Sequence, residues 1–197
     1  METSTDQFFE EHTYLKRLAP EAYRAYAAVH WSMTIAERKQ GWCTEWFHAK
    51  FRELLTHVTF RYGLLFPTYV LMPDHLHILA MGFRETSDQR LAMRFLRKQM
   101  NWALKPAGYQ LQKQGHDHVI RQRSRTRSVF QKVVQYVREN PLRAGLVESP
   151  GELPKYPFSG CLVPGYPELN QWDEKFWGVF WKPIFSFVKP RKCSRIC

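Results

Sequence analysis

Cysteine is scarce in the sequence and long apolar runs are missing, and each absence excludes a class of protein. The four cysteines are too scattered for the disulfide framework of a small secreted domain, so a reducing compartment is the simpler interpretation. No run of about 18 apolar residues is present to span a bilayer, and the acidic, polar residues 1–12 are not typical of a signal peptide. We therefore expect a cytoplasmic protein without a membrane partner.

Acidic residues are also scarce, above all in the middle of the chain. Residues 84–143 carry 14 basic and 4 acidic side chains, a net charge of +10, whereas residues 1–83 carry 8 and 9 and residues 144–197 carry 7 and 5. A basic block of this kind, with aromatic residues interleaved, is typical of a surface that binds a polyanion. A solvated basic face without a function is the alternative, and nucleic-acid binding is the interpretation that we favour.

The chain has the length and composition of one folded domain with an appendage. With 197 residues, of which 44% are hydrophobic, it can bury a core of its own. Eight of the twelve prolines lie at or after position 141. We therefore predict an N-terminal lead over residues 1–24, a central domain over residues 25–145, and a proline-rich extension with a basic tail over residues 146–197.

The hydrophobic periodicity predicts six elements in the order strand, helix, strand, strand, helix, strand. Apolar and polar residues alternate in the first strand, apolar residues recur at helical spacing in both helices, and Pro73-Asp74 separates two mainly apolar strands. The predicted strands cover 25–35, 64–72, 75–81 and 118–120, and the predicted helices cover 44–62 and 86–105. This order is typical of the ferredoxin-like α+β arrangement, an antiparallel sheet with helices on one face. A tyrosine-bearing helix from Ser128 to about Asn140 and an irregular C-terminal extension complete the prediction.

The second predicted helix opens with a capping-box pattern at Thr86–Gln89 and carries a cationic stripe. Its basic residues, with Asn101, recur at spacings of three and four, so they share one face, opposite Leu91 and Phe95. A second basic run occupies residues 121–127. We predict that both track a nucleic-acid backbone. The complete predicted set is Arg90, Arg94, Arg97, Lys98, Lys105, Arg121, Arg123, Arg125, Arg127, Arg138 and Arg143.

His75-Leu76-His77 is the candidate metal-binding motif. In a strand both imidazoles project to one face and Leu76 to the other, and two neutral imidazoles form half of a divalent-metal site. Such a pair alone is weak evidence for a metal site. His116-Asp117-His118 has the same spacing, and it lies in a polar stretch that we interpret as a solvated loop entering an edge strand. The position of His75 and His77 in an otherwise apolar strand favours a metal-binding role for this pair.

Tyr136 and Asn140 lie on the flank of the last predicted helix. Tyr136 is about 110° from the centre of the apolar face, and Asn140 follows four residues later on the same flank. An amide oxygen beside a tyrosine nucleophile is useful if that oxygen completes the coordination shell that the two histidines begin. The alternative is a surface tyrosine next to an asparagine that only caps the helix.

Two of these segments resemble motifs of a known family. Residues 69–79, Tyr-Val-Leu-Met-Pro-Asp-His-Leu-His-Ile-Leu, resemble the histidine–hydrophobic–histidine strand of single-tyrosine HUH transposases. Residues 136–147, Tyr-Val-Arg-Glu-Asn-Pro-Leu-Arg-Ala-Gly-Leu-Val, resemble the tyrosine helix of one branch, the REP-associated tyrosine transposases. Residues 117–121 match a stretch that the family places shortly before this helix, and the resemblance covers roughly residues 25–165.

The resemblance implies that residues 25–145 form the catalytic domain of a metal-dependent transposase and endonuclease of the bacterial cytosol or nucleoid. His75, His77 and Asn140 would be its metal ligands and Tyr136 its nucleophile. The family cleaves and rejoins single-stranded hairpin DNA, such as bacterial repetitive extragenic palindromes, through a 5′-phosphotyrosine link that leaves a free 3′-hydroxyl. The implied cofactor is Mg²⁺ or Mn²⁺: Mg²⁺ prefers oxygen ligands, whereas two histidines favour Mn²⁺ or its neighbours.

Two other functions are compatible with the sequence. A domesticated protein that binds structured single strands without transposing would need only the basic block. A metal-dependent RNA-processing nuclease is the third interpretation, because many RNA-binding domains share the ferredoxin-like fold. The sequence leaves open whether the chain is a monomer or a homodimer, and whether one chain builds the whole site.

Overall fold

The computed structural model describes residues 17–120 and 127–187, with the backbone alone for residues 183–187. Its strands are β1 (Ala28–Thr34), β2 (Leu64–Leu71), β3 (His75–Gly82), β4 (His116–Ile120) and β5 (Ser159–Leu162). Its helices are α1 (Glu45–Tyr62), α2 (Gln89–Leu104), α3 (Arg127–Arg138), α4 (Asn140–Arg143) and α5 (Phe176–Phe187). No helix within the described ranges is both long and apolar enough to cross a membrane.

The strands form one antiparallel sheet in the order β4-β1-β3-β2-β5. The helices α1 and α2 connect β1 to β2 and β3 to β4, and they pack against each other on one face of this sheet. The predicted α+β class, with its β-α-β-β-α-β order and its helices on one face, is confirmed. The strand β3 lies between β1 and β2, so its side chains point only to the two faces of the sheet.

The two ends of α1 are capped by the residues that flank the helix. Thr44 precedes the helix, and its side chain accepts a hydrogen bond from the amide of Phe47 at 3.1 Å. Gly63 ends the helix in the left-handed conformation, with φ of 65°, and its amide donates to the carbonyl of Thr59. The strand β2 begins at the next residue, Leu64, so this single glycine connects the helix to the strand.

The start of α2 differs from the predicted capping box at Thr86–Gln89. The capping residue is Asp88, whose carboxylate accepts a hydrogen bond from the amide of Leu91 at 3.0 Å. The Ser87 hydroxyl instead donates to the carbonyl of Gly63, which ties this loop to the end of α1. The predicted cap, Thr86, therefore lies two residues before the observed one. Ser87 and Asp88 are both able to cap a helix, and the contact of Ser87 with Gly63 leaves Asp88 as the cap. Leu91, placed on the apolar face, is 47% exposed.

Each face of the sheet carries its own hydrophobic core. On one face, Phe51 of α1 and Leu96 of α2 pack with Ile78 of β3. On the other face, Phe130 of α3 and Phe180 of α5 pack in the cluster that contains Leu79 of the same strand. The alternation of Ile78 and Leu79 places α3 on the side of the sheet opposite α1 and α2.

The C-terminal extension contains regular structure that the proline content concealed. The short strand β5 pairs with β2, and α5 supplies Phe176 and Phe180 to the core beneath α3. A 3-10 helix covers Pro150–Lys155. Prolines lie both between these elements and within them, as Pro154 does in the 3-10 helix and Pro183 in α5, so a high proline content did not exclude short regular elements.

Replacing Phe180 with alanine is expected to lower the free energy of unfolding by about 3–5 kcal/mol. Phe180 is fully buried and stacks on Phe130, with ring centroids 5.8 Å apart, and on Phe176 at 5.6 Å. Urea denaturation followed by tryptophan fluorescence measures the change. Phe60→Ala is the control, because Phe60 is 70% exposed and its loss should change stability by less than about 0.5 kcal/mol. Equal effects of the two variants would contradict the assignment of α5 to the core.

Candidate active site

His75 and His77 project from β3 toward the side of the sheet that α3 covers. Leu76 between them belongs to the core on the opposite side, as strand alternation requires. His77 is 8% exposed, while His75, at the start of the strand, is half-buried. Their Nε2 atoms face each other at 3.1 Å. The two rings are perpendicular, with centroids 4.8 Å apart.

The remaining nitrogen of each imidazole is held by a neighbour. His75 Nδ1 donates to Asp74 Oδ1 at 2.6 Å, and the second oxygen of Asp74 accepts from Arg38 Nη1 at 2.8 Å. His77 Nδ1 lies 3.0 Å from Nε2 of His30, on β1. These contacts fix the orientation of both rings, so their Nε2 atoms converge. Sequence analysis missed all three supporting residues, although a histidine in the buried strand β1 was a visible signal.

Burial keeps the deeper histidines neutral. It lowers the pKa of His77 to about 3, with smaller contributions from His30 and His75. Burial lowers the pKa of His30 to about 4, and His118 on the adjacent strand adds to this effect. Burial raises the pKa of Asp74, but hydrogen bonds from His75 and Arg38 outweigh it and leave the pKa below its usual value. Neutral imidazoles beside a carboxylate that remains ionised present nitrogen lone pairs to a cation.

Tyr136 stands next to the histidines on α3. Its ring meets His30 edge-on with centroids 5.9 Å apart, and His77 edge-on at 6.3 Å. The side chain is 46% exposed, and its phenol oxygen makes no hydrogen bond to the part of the chain that the structure describes. The guanidinium of Arg143 lies 4.5 Å from the ring centroid and donates to the Tyr136 carbonyl at 2.9 Å. The same guanidinium forms an ion pair with Glu139 at 2.7 Å, so the exposed phenol lies beside two imidazoles and a paired arginine.

Asn140 begins α4, one turn beyond Tyr136. Its Nδ2 donates to the carbonyl of Tyr136 at 2.9 Å and to that of Val137 at 3.2 Å. The side chain therefore caps α3 through its amide nitrogen, as the helix-capping alternative states, and its Oδ1 makes no hydrogen bond to the residues that the structure describes. Pro141 follows in the first turn of α4, where a missing amide hydrogen costs nothing.

The histidine pair fits two ligands of one divalent ion. Two nitrogens that each lie about 2.1 Å from a shared ion are separated by about 3 Å when the angle at the ion is near 90°, and the observed separation is 3.1 Å. Within residues 17–120 and 127–187, no group of three or more His, Cys, Asp or Glu side chains is placed to hold a metal.

The predicted nucleic-acid contacts from residue 121 onward separate into three groups. Arg143 and Arg127 are exposed, and Arg127 lies over the ring of Trp181 at 5.6 Å. Arg138 is 7% exposed and packs over Phe176 at 4.6 Å, within the aromatic cluster of the extension. Burial lowers its pKa to about 10. The prediction that Arg138 contacts nucleic acid is therefore wrong, because the C-terminal extension covers its side chain. The remaining predicted contacts lie outside the described residues: Arg121, Arg123 and Arg125.

The predicted contacts on α2 lie on the other side of the sheet from Tyr136. Arg90, Arg94 and Arg97 line a cavity that also contains Trp31 of β1. Lys105 lines a separate cleft with the exposed rings of Trp46 and Trp102, and Lys98 is exposed on the helix. The periodicity placed these cations on one face of the helix, but it could not show that the helix and Tyr136 occupy opposite faces of the sheet.

Comparison with known proteins supports the fold. No family model matches the sequence, and no curated relative does. Among solved structures, the chain is similar to a REP-associated tyrosine transposase bound to a REP hairpin, with a TM-score of 0.59 and 20% identity over 75% of this chain and 81% of that one. The two chains share a fold. At this identity the likeness extends to the architecture of the sheet and its helices.

Proposed function

We propose that the chain cleaves and rejoins single-stranded, hairpin-forming DNA, with Tyr136 as the nucleophile. The observation that carries the proposal is the convergence of His75 Nε2 and His77 Nε2, 3.1 Å apart, beside the exposed ring of Tyr136. The shared fold with a transposase that binds a REP hairpin supports the choice of DNA substrate. The proposed ligands of the divalent ion, Mg²⁺ or Mn²⁺, are these two histidines and Oδ1 of Asn140.

The proposed reaction exchanges one phosphodiester for another. The Tyr136 oxygen loses its proton to solvent and bonds to the phosphorus, and the bond from phosphorus to the 3′-oxygen breaks. The 3′-oxygen takes up a proton, so one fragment ends in a 3′-hydroxyl and the other is linked to the protein through its 5′-phosphate. A bound divalent ion would polarise the phosphate and stabilise the charge of the transition state. Because the link conserves the phosphodiester, attack by a 3′-hydroxyl reverses the step without another energy source.

The residues around the phenol have separate roles in this proposal. Arg143, which lies over the ring and is paired with Glu139 at 2.7 Å, would turn part of its guanidinium to the incoming phosphate. Asp74 and His30 orient the two histidines through their Nδ1 atoms.

End-labelled DNA distinguishes the proposal from its alternatives. A hairpin oligonucleotide labelled at its 3′ end, incubated with Mn²⁺ or Mg²⁺, should migrate with the denatured protein. The same oligonucleotide labelled at its 5′ end should release a free fragment that a polymerase can extend. A hydrolytic nuclease would leave both labels on free fragments, and a domesticated binding protein would leave the DNA intact. Either outcome would contradict the proposed strand transfer.

Replacing His30 with alanine is expected to weaken Mn²⁺ binding by about 10–100-fold, because His77 loses the partner that orients its ring. Calorimetry on the protein without DNA measures this affinity. His30→Gln should recover part of the loss, since its amide oxygen can accept the hydrogen bond of His77 Nδ1. His118→Ala is the control, because His118 is exposed and stands opposite His30 on β4. Unchanged affinity in His30→Ala would remove His30 from the metal site.

A further inference from the structure

A cavity of about 280 Å³ lies on the α2 side of the sheet, close to the edge strand β4. Its floor is apolar and includes Trp31 and Met33 of β1. Five cationic side chains from three separate parts of the chain line it. They are Arg17, Arg90, Arg94, Arg97 and Lys113.

These cations have little negative charge beside them. Within the described part of the chain only Arg17 is paired, with an Asp117 oxygen at 3.6 Å, and that carboxylate also accepts a hydrogen bond from Tyr23. Among the described residues, no acidic side chain forms an ion pair with Arg90, Arg94, Arg97 or Lys113.

Arg97 shows most clearly that the cavity has an excess of positive charge and of hydrogen-bond donors. One of its terminal nitrogens donates to the carbonyl of Gln112, while its buried Nε has no hydrogen-bond partner. Burial lowers the pKa of Arg97, and the charge of Arg17 lowers it further. A buried donor without a partner and like charges held together both cost free energy, and a bound anion relieves both.

We propose that this cavity binds a phosphate group of the DNA backbone. Guanidinium groups match the oxygens of a phosphate with pairs of parallel hydrogen bonds, and the apolar floor excludes water that would weaken them. The proposal rests on the proposed function, because the ligand is a phosphodiester of the same DNA. A free phosphate compound offers the same chemistry and is the source that the experiment must exclude.

The position of the cavity determines which part of the DNA it holds. It lies on the α1/α2 side of the sheet, whereas Tyr136 lies on the other side, and β4 is the edge strand between them. DNA that reaches both sites passes around the edge formed by β4, past the exposed side chains of His116 and His118. The phosphate in the cavity is therefore remote from the scissile one, and the cavity contributes to affinity and to the path of the strand.

The salt dependence of DNA binding tests this proposal. Hairpin DNA with single-stranded flanks is titrated onto Tyr136→Phe protein without metal, so that no cleavage occurs. Adding Arg94→Gln or Lys113→Gln, both at exposed positions, should weaken binding about tenfold and reduce the slope of log K against log salt by about 1. Arg61→Gln is the control, because Arg61 is exposed on α1 outside the cavity. Equal losses in all three variants would overturn the proposal.

Two further arms separate the possible failures. Calorimetry with inorganic phosphate tests the other source. If Arg94→Gln abolishes the binding of inorganic phosphate but leaves the affinity for DNA unchanged, the assignment of the cavity to DNA is overturned. The covalent-adduct assay on the wild-type protein is scored independently. If no adduct forms but the cavity variants lose DNA affinity and salt slope, the proposed cleavage fails and the phosphate site stands.

Discussion

Replacing Tyr136 with phenylalanine is expected to lower the rate of covalent adduct formation by about 10⁴-fold or more, because the variant lacks the attacking oxygen. The phenol oxygen makes no hydrogen bond to the described residues, so its removal should leave the fold intact. Hairpin binding should be retained for the same reason. The rate is measured with 3′-labelled hairpin DNA and denaturing gels at saturating Mn²⁺.

The control for this variant is Tyr166→Phe. Tyr166 is half-buried in the C-terminal extension and packs against the core beneath α3 and α5, away from the histidine pair. It should form the adduct at the wild-type rate. A Tyr136→Phe protein that still forms the adduct would exclude Tyr136 as the nucleophile, and loss of DNA binding in that variant would indicate a role in recognition.

Replacing His77 with alanine is expected to weaken Mn²⁺ binding by about 100-fold or more and to abolish metal-dependent cleavage. The substitution removes one of the two converging nitrogens, and the remaining His75 cannot form a chelating pair alone. Electron paramagnetic resonance of Mn²⁺ with the protein alone measures the affinity without relying on catalysis. Chelation of the metal with EDTA should abolish cleavage by the wild-type protein in the same way.

The chain supplies a matched control for the histidine variant. His116 belongs to the second His-x-His segment, but it is exposed on the edge strand β4. His116→Ala should bind Mn²⁺ with wild-type affinity. Equal losses in His77→Ala and His116→Ala, or no loss in either, would show that the β3 pair is not the metal site.

The fold was predictable because its elements are strongly periodic. The alternation in β1 and the helical spacing in α1 identified both elements, and the order of the elements restricted the topology to few choices. The strand β5 was missed because its four residues, Ser159–Leu162, are too few to show an alternating pattern, and the helix α5 was missed because aromatic residues dominate its sequence. The contacts of β5 with β2 and of α5 with the core beneath α3 join residues far apart in the chain, and a local pattern does not reveal them.

The site was predictable only where neighbours in sequence determine it. A period of two was enough to place His75 and His77 on one face, and the helical period was enough to place Tyr136 on a flank. The contact between His77 and His30 joins residues 47 positions apart, and a local pattern carries no information about such a pair. Asp74 was identified as a turn residue, although it also orients His75.

One basic residue was placed wrongly. Arg138 was predicted to contact nucleic acid, but aromatic residues from the extension bury it. The charge of Arg138 could be read from the sequence, whereas its burial depends on a tertiary contact with residues about 40 positions away. The cations of α2 remain predicted DNA contacts, and the structure adds that they lie on the other side of the sheet from Tyr136.

Mapping the covalent link tests the central claim most directly. After the wild-type protein has reacted with hairpin DNA, nuclease and trypsin digestion should leave a short nucleotide on the peptide Val-Val-Gln-Tyr-Val-Arg, residues 133–138, which contains Tyr136 as its sole tyrosine. Mass spectrometry is expected to locate the 5′-phosphate on that tyrosine. Cleaved DNA with no nucleotide on any peptide, or a nucleotide on a different residue, would contradict the account.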